Sequence, residues 1–158
     1  MRWAGLICGI VVFAHTAAPS AAQPSAWDTF SDSYGTSIPY PSRLFPVASG
    51  PGEPPGKVLQ TEDGTGRLHI FTVPNERAER PAKFLKRLFP PQSVGKLSYV
   101  RVTRDFFVVS EPNDGQALYR RCNFVGRTIH CFDIRYPLHQ KRAYDDIVTR
   151  MSRSLRPR

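Results

Sequence analysis

The chain has 158 residues, of which 41% are apolar, with 22 Lys and Arg against 13 Asp and Glu and a formal net charge of +9. That length fits one domain with a real core and calls for no second one. No internal repeat or heptad runs through it, which excludes a solenoid or a coiled coil.

Met1 to Ala22 reads as a secretory signal peptide. Arg2 supplies the positive start, Trp3 to Ala14 the apolar run, and Ser20-Ala21-Ala22 the small residues before the cut. The apolar run is about 12 residues where a spanning helix needs roughly 20, and His15, Thr16 and Pro19 break its continuation. A cleaved leader is therefore expected rather than an anchor, and no transmembrane span after cleavage. Cys8 follows Ile7 with seven residues upstream, which is not a lipoprotein context. The predicted organisation is a leader over 1–22, a flexible lead-in over 23–30 and a single domain over 31–158, placed in the periplasm or secreted.

Losing Arg2 with the leader leaves 21 basic against 13 acidic residues, a formal +8. Such a balance attracts polyanions over a Debye length of about 8 Å. Outside the cytosol this points away from nucleic acid and toward anionic lipid or acidic polymer of the envelope. The charges are spread along the chain, so a solvated basic surface explains them equally.

Pro39, Pro41, Pro46, Pro51, Pro54 and Pro55 crowd the opening third, and Ser49 to Gly56 reads as a surface loop. Val58 to Thr61 and Arg67 to Val73 then flank Asp63-Gly64, a hairpin signal. Leu68, Ile70 and Thr72 would share one face of the second strand, and His69, Phe71 and Val73 the other. Apolar residues on both faces predict an interior strand. Pro81 opens a helix with Phe84, Leu85 and Leu88 on its apolar stripe, ended by Pro90 and Pro91. Leu97 to Thr103 and Phe106 to Ser110 read as strands joined at Arg104-Asp105, and Pro112-Asn113-Asp114-Gly115 as a turn. After the hairpin described next, a helix over about Leu138 to Leu155 carries Tyr144, Ile147, Val148, Met151 and Leu155 on one face.

Ala117 to Tyr136 is the best-defined hairpin. A two-residue loop at Gly126-Arg127 sets Val125 against Thr128, Asn123 against His130, and Cys122 against Cys131. Counting outward from the loop puts the cysteines at a non-hydrogen-bonded pair, with α-carbons roughly 4.5 Å apart. That is the short end of disulfide geometry. The same register sets Arg120 opposite Asp133, a complementary pair. A redox-active pair would instead show C-x-x-C at a helix start, so a structural Cys122–Cys131 staple is predicted.

No nucleophile elbow, P-loop or dinucleotide fingerprint is present. Beyond the leader, His69, His130 and His139 lack helical metal-pair spacing, and both cysteines are committed to each other, so no metal or other cofactor is implied. His130 reads as a hydrogen-bonded structural histidine. Asp145 and Asp146 diverge by about 100° on their helix and cannot readily share a proton or a metal. A triad assembled from distant residues stays open. Aromatic residues populate the later strands on both faces. Tyr99, Phe107, Tyr119, Phe132 and Tyr136 form the candidate binding surface, with burial in the core as the alternative.

Tyr34-Gly35-Thr36-Ser37 with Tyr40-Pro41, Arg104-Asp105-Phe106-Phe107-Val108-Val109-Ser110 with Asp114-Gly115, and Tyr136-Pro137 through Arg150-Met151-Ser152-Arg153-Ser154-Leu155 resemble small exported proteins of rhizobial-type alphaproteobacteria. More distantly, the order of Tyr-Pro strand, hairpin, helix, antiparallel strands and final helix is similar to the PsbP/Mog1-like α+β sandwich. That resemblance implies a binding or assembly factor without chemistry of its own and carries over no catalytic residue.

The expected fold is therefore α+β: an antiparallel sheet of about five to seven strands with a short helix and a C-terminal helix packed on it. The expected function is an exported binding or accessory module stapled by one disulfide, whose partner is an unspecified protein or envelope component. The alternatives are a small periplasmic hydrolase and a basic protein held at the envelope surface.

Overall fold

A computed structural model of the chain describes residues 26–90 and 95–155. The expected leader over 1–22 and the helix-ending Pro91 lie outside the described residues.

Among the described residues, nine strands form two antiparallel sheets. β1 (Asp28–Ser31) pairs with β2 (Ser37–Tyr40). The larger sheet contains β3 (Val47–Ala48), β4 (Gly56–Gln60), β5 (Arg67–Pro74), β6 (Tyr99–Val102), β7 (Phe106–Asn113), β8 (Gln116–Val125) and β9 (Thr128–Pro137). Its spatial order is β3-β4-β5-β9-β8-β7-β6. Helix α1 (Pro81–Leu88) connects β5 to β6, and a 3-10 turn (Leu138–Gln140) leads into α2 (Lys141–Ser154). The α+β class and the seven-stranded sheet agree with the sequence reading. Strand β1, however, begins inside the segment expected to be a flexible lead-in.

The turns follow from residue chemistry. Asp114 and Gly115 both take positive φ, 47° and 77°, as a type I′ hairpin requires. This turn is tighter than the sequence suggested, so β7 runs on through Pro112 to Asn113. Gly126, with φ of 55°, opens the two-residue loop between β8 and β9. The register is the expected one: Val125 opposite Thr128, Cys122 opposite Cys131 and Arg120 opposite Asp133. The Cys122–Cys131 disulfide is present, with α-carbons 4.2 Å apart.

Strand β5 lies between β4 and β9, so both its edges are paired, as an interior strand requires. The two helices lie on opposite faces of the sheet. On one, Tyr144, Val148 and Met151 of α2 and Leu155 just after it join Ile38 and Tyr40 of β2 over Leu68, Ile70, Phe132 and Ile134. Tyr144 stacks on Tyr136 at 4.3 Å. On the other, Phe84 and Leu85 of α1 cover Phe71, Phe107, Ile129 and the disulfide. At about 1.5–3 kcal/mol for each fully buried large apolar side chain, these two layers are the main stabilising contribution.

α2 has 14 residues, whereas α1 has eight and covers only one end of its face. The opposite end of the α1 face stays open, and there the polar residues of the strands gather.

Candidate functional site

The open half of the α1 face is built by rows of residues that face one another across four strands. One row runs Gly56, Phe71, Cys131, Cys122; the next Val58, His69, Asp133, Arg120; the third Gln60, Arg67, Arg135, Leu118. Successive rows lie about 6.6 Å apart, two residues along each strand. The surface therefore passes from apolar through a polar row to a basic one.

In the middle row, Arg120 donates to both carboxylate oxygens of Asp133, at 2.6 and 2.5 Å. Burial opposes the charge on Arg120, but the hydrogen bonds to Asp133 and its charge outweigh this and raise the guanidinium above its ordinary value. His69 is 7% exposed. Its Nε2 is buried and has no hydrogen-bond partner. Burial, more than the opposing pull of Asp133, holds His69 below the usual histidine range, so the ring is neutral near pH 7. Gly52 packs directly over this ring, and a methyl group there would collide with the imidazole and with Val58.

In the basic row, Arg67 faces Arg135 directly, β5 against β9. Like charges directly opposite one another are destabilising, and neither guanidinium makes an ion pair or hydrogen bond among the described residues. Glu53 lines the same cleft without a salt bridge to either.

Two cavities meet here. The polar one, about 110 Å³, is lined by Glu53, Arg67, His69, Arg120, Asp133 and Arg135. The apolar one, about 190 Å³, lies between α1 and the loop before β4, with Phe71, Val73, Phe84, Leu88 and the disulfide in its walls. Arg120 lines both, so the two cavities adjoin across its side chain, and the pair is called the trough below. Leu88, expected on the buried stripe of α1, stands 37% exposed at its rim. A further cavity of about 280 Å³ beside Asn75 and Glu79 is satisfied internally. There Arg87 bonds Glu79 Oε2 at 3.2 and 3.0 Å, and Asn75 Oδ1 accepts from the Glu79 N–H.

The aromatic residues singled out from the sequence do not form one surface. Phe107 is buried on the α1 face against Phe84 and Phe124. Phe132 and Tyr136 are buried on the α2 face. Tyr119 stacks on Phe132 at 5.8 Å and donates to Ser152 Oγ at 2.9 Å. Tyr99, on the edge strand β6, is 48% exposed. The sequence did name the Arg120–Asp133 pair and His69. It missed Arg67 and Arg135, whose signal is a polar alternation (Arg67, His69; Asp133, Arg135) continuing the buried alternation on the same face.

His130 is 1% exposed and belongs to a chain of hydroxyls on the α2 face. Nδ1 lies 2.8 Å from Thr36 Oγ1 and Nε2 2.9 Å from Thr128 Oγ1, while Thr72 joins Thr36 to Asp32 Oδ2. Burial pushes Asp32 up, but hydrogen bonds from Thr72, Thr36 and Tyr34 outweigh it and leave the carboxyl below its ordinary range. This chain docks the β1–β2 hairpin on the sheet and opens into none of the cavities above. Among the described residues, no group of three His, Cys, Asp or Glu side chains is placed to hold a metal ion, and no helix is long and apolar enough to cross a membrane.

Neither a family model nor a curated protein sequence matches this chain. The solution structure of cyanobacterial PsbP (CyanoP) from Synechocystis sp. PCC 6803 superposes with a TM-score of 0.61 at 10% identity, covering 90% of this chain and 98% of that one. The fold is PsbP-like. At such identity the likeness is one of architecture, and the PsbP-like sheet, with helices on both faces, is the frame on which this chain's own trough is built.

Proposed function

We propose that this chain is an exported accessory module of PsbP-like fold that works by binding an anionic partner in the trough on its α1 face, without a chemical step of its own. The observation that carries this reading is Arg67 facing Arg135 with no carboxylate on either. A folded sheet tolerates such a pair at a cost, and an anion lying between the two guanidiniums converts repulsion into two charge-assisted contacts. Arg120, by contrast, is already neutralised by Asp133 and acts as a fixed wall.

Export is supported by the pattern of 1–22 and by a hairpin disulfide, which persists in oxidising compartments. The rhizobial-type exported proteins that the chain resembles fit the same placement. The PsbP-like architecture supports an accessory role by analogy.

Two experiments test the reading. Amide resonances of Arg67, His69 and Arg135 are expected to shift on titration with inorganic phosphate or acetate and to return at high salt; no shift there with either anion rejects the anion-binding trough. Fusing residues 1–22 to a reporter active only outside the cytosol is expected to give activity, and an inactive fusion rejects export.

A further inference from the structure

The trough is two-sided, and its two ends ask for different chemistry. At one end stand Arg67 and Arg135, both exposed. At the other, four residues on along β5, Phe71 lies against the disulfide beneath Phe84 and Leu88. Four residues of strand span about 13 Å. Between them the Arg120–Asp133 pair is a neutral step, because the bidentate contact cancels its charges. The apolar end encloses about 190 Å³, more than the roughly 150 Å³ of an apolar cavity that takes up benzene.

We infer that the trough takes an amphipathic monoanion: a carboxylate whose head lies between Arg67 and Arg135 and whose unbranched apolar tail runs past Arg120 to the pocket over the Cys122–Cys131 disulfide. This rests on the anion-binding reading above and adds the tail. With carbon–carbon bonds of about 1.5 Å, a zigzag chain advances roughly 1.3 Å per carbon, so about ten carbons bridge the two ends. The exposed large apolar side chain of α1, Leu88, sits at the rim where the tail would enter and gains cover by it.

Calorimetric titration with acetate, hexanoate and decanoate, each below its micelle concentration, tests this directly. Affinity is expected to rise about fourfold for each added methylene until the pocket is filled, and decanol, of the same length without the charge, to bind at least tenfold more weakly than decanoate. In the Arg67→Gln/Arg135→Gln double variant decanoate affinity falls at least tenfold, while the urea midpoint holds or rises because a like-charge pair has been removed. Leu88→Glu, an exposed change, lowers decanoate affinity and leaves acetate unaffected. Equal affinities for acetate and decanoate overturn the inference while leaving the anion-binding reading in place. Failure of all three acids to bind at the two arginines overturns both.

Discussion

Arg120 and Asp133 face each other across the β8–β9 hairpin one row from the Cys122–Cys131 disulfide, joined by two parallel hydrogen bonds and mostly buried, with side-chain exposures of 20% and 11%. A charge so placed is tolerable only with its partner. Asp133→Ala is expected to destabilise the fold by about 3 kcal/mol, because it strands a buried guanidinium. The double change Arg120→Met/Asp133→Leu should cost far less, since it removes both charges and keeps the volume. Urea unfolding of the three proteins checks the contrast, and equal losses in single and double variants contradict it.

The disulfide closes a short loop, with a sequence separation of nine. The chain-entropy relation assigns such a loop about 2.7 kcal/mol. Cys122→Ala/Cys131→Ala is therefore expected to lower unfolding stability by about 2–4 kcal/mol, the lost apolar contacts of two buried sulfurs adding to the entropic part. Wild type measured with and without reductant isolates the staple. An unchanged midpoint in both comparisons contradicts a structural role.

What was legible in the sequence depended on range. The β8–β9 register was readable because a two-residue Gly-Arg loop leaves one alignment, and that alignment pairs Cys122 with Cys131 and Arg120 with Asp133 together. The pairing of β5 with β9 was not, because nearly seventy residues separate Arg67 from Arg135 and no local period marks which strands become neighbours. The trough depends on that pairing, so its basic end was invisible while its middle row was half seen. The aromatic candidates dispersed for the same reason. Period-two patterning sorts residues within one strand, but it does not show that Phe107 and Phe132 lie on opposite faces of the sheet or that α1 and α2 bury them there. Strand β1 was overlooked because Asp28-Thr29-Phe30-Ser31 has little apolar alternation and is held by pairing with β2.

Gly52 is required for space rather than for backbone freedom. Its added Cβ would strike the His69 ring and Val58 Cγ2. Gly52→Ala is expected to cost about 1–3 kcal/mol by overpacking. His69→Ala opens the volume that the methyl group needs, so the double variant should be more stable than the sum of the single losses. A thermal-unfolding cycle over the four proteins measures that coupling, and strict additivity would show that the loop over His69 is displaced without strain.

His69 and His130 should make stability fall in mild acid. Burial holds both rings below the usual histidine range, outweighing the pull of Asp133 on the first and of Asp32 on the second. In the unfolded chain each takes up a proton near its ordinary value, about 6.5. The unfolded state therefore binds more protons as the pH drops through that value, and the native state resists until its own lower pKa is reached. Stability is full above about pH 6.5 and is lost progressively as the pH falls from there through the depressed native values. Asp32, also depressed, adds its own loss only at pH below its ordinary 3.8. The two histidines separate by substitution. His69→Asn and His130→Asn should each flatten the decline between pH 7.5 and 5.5, whatever they do to absolute stability. The His130 variant should in addition loosen the β1–β2 hairpin, seen as faster amide exchange at Ile38 and Tyr40, because Thr36 Oγ1 keeps Thr72 but loses its bond to the ring. A decline equally steep in both variants would place the titrating group elsewhere.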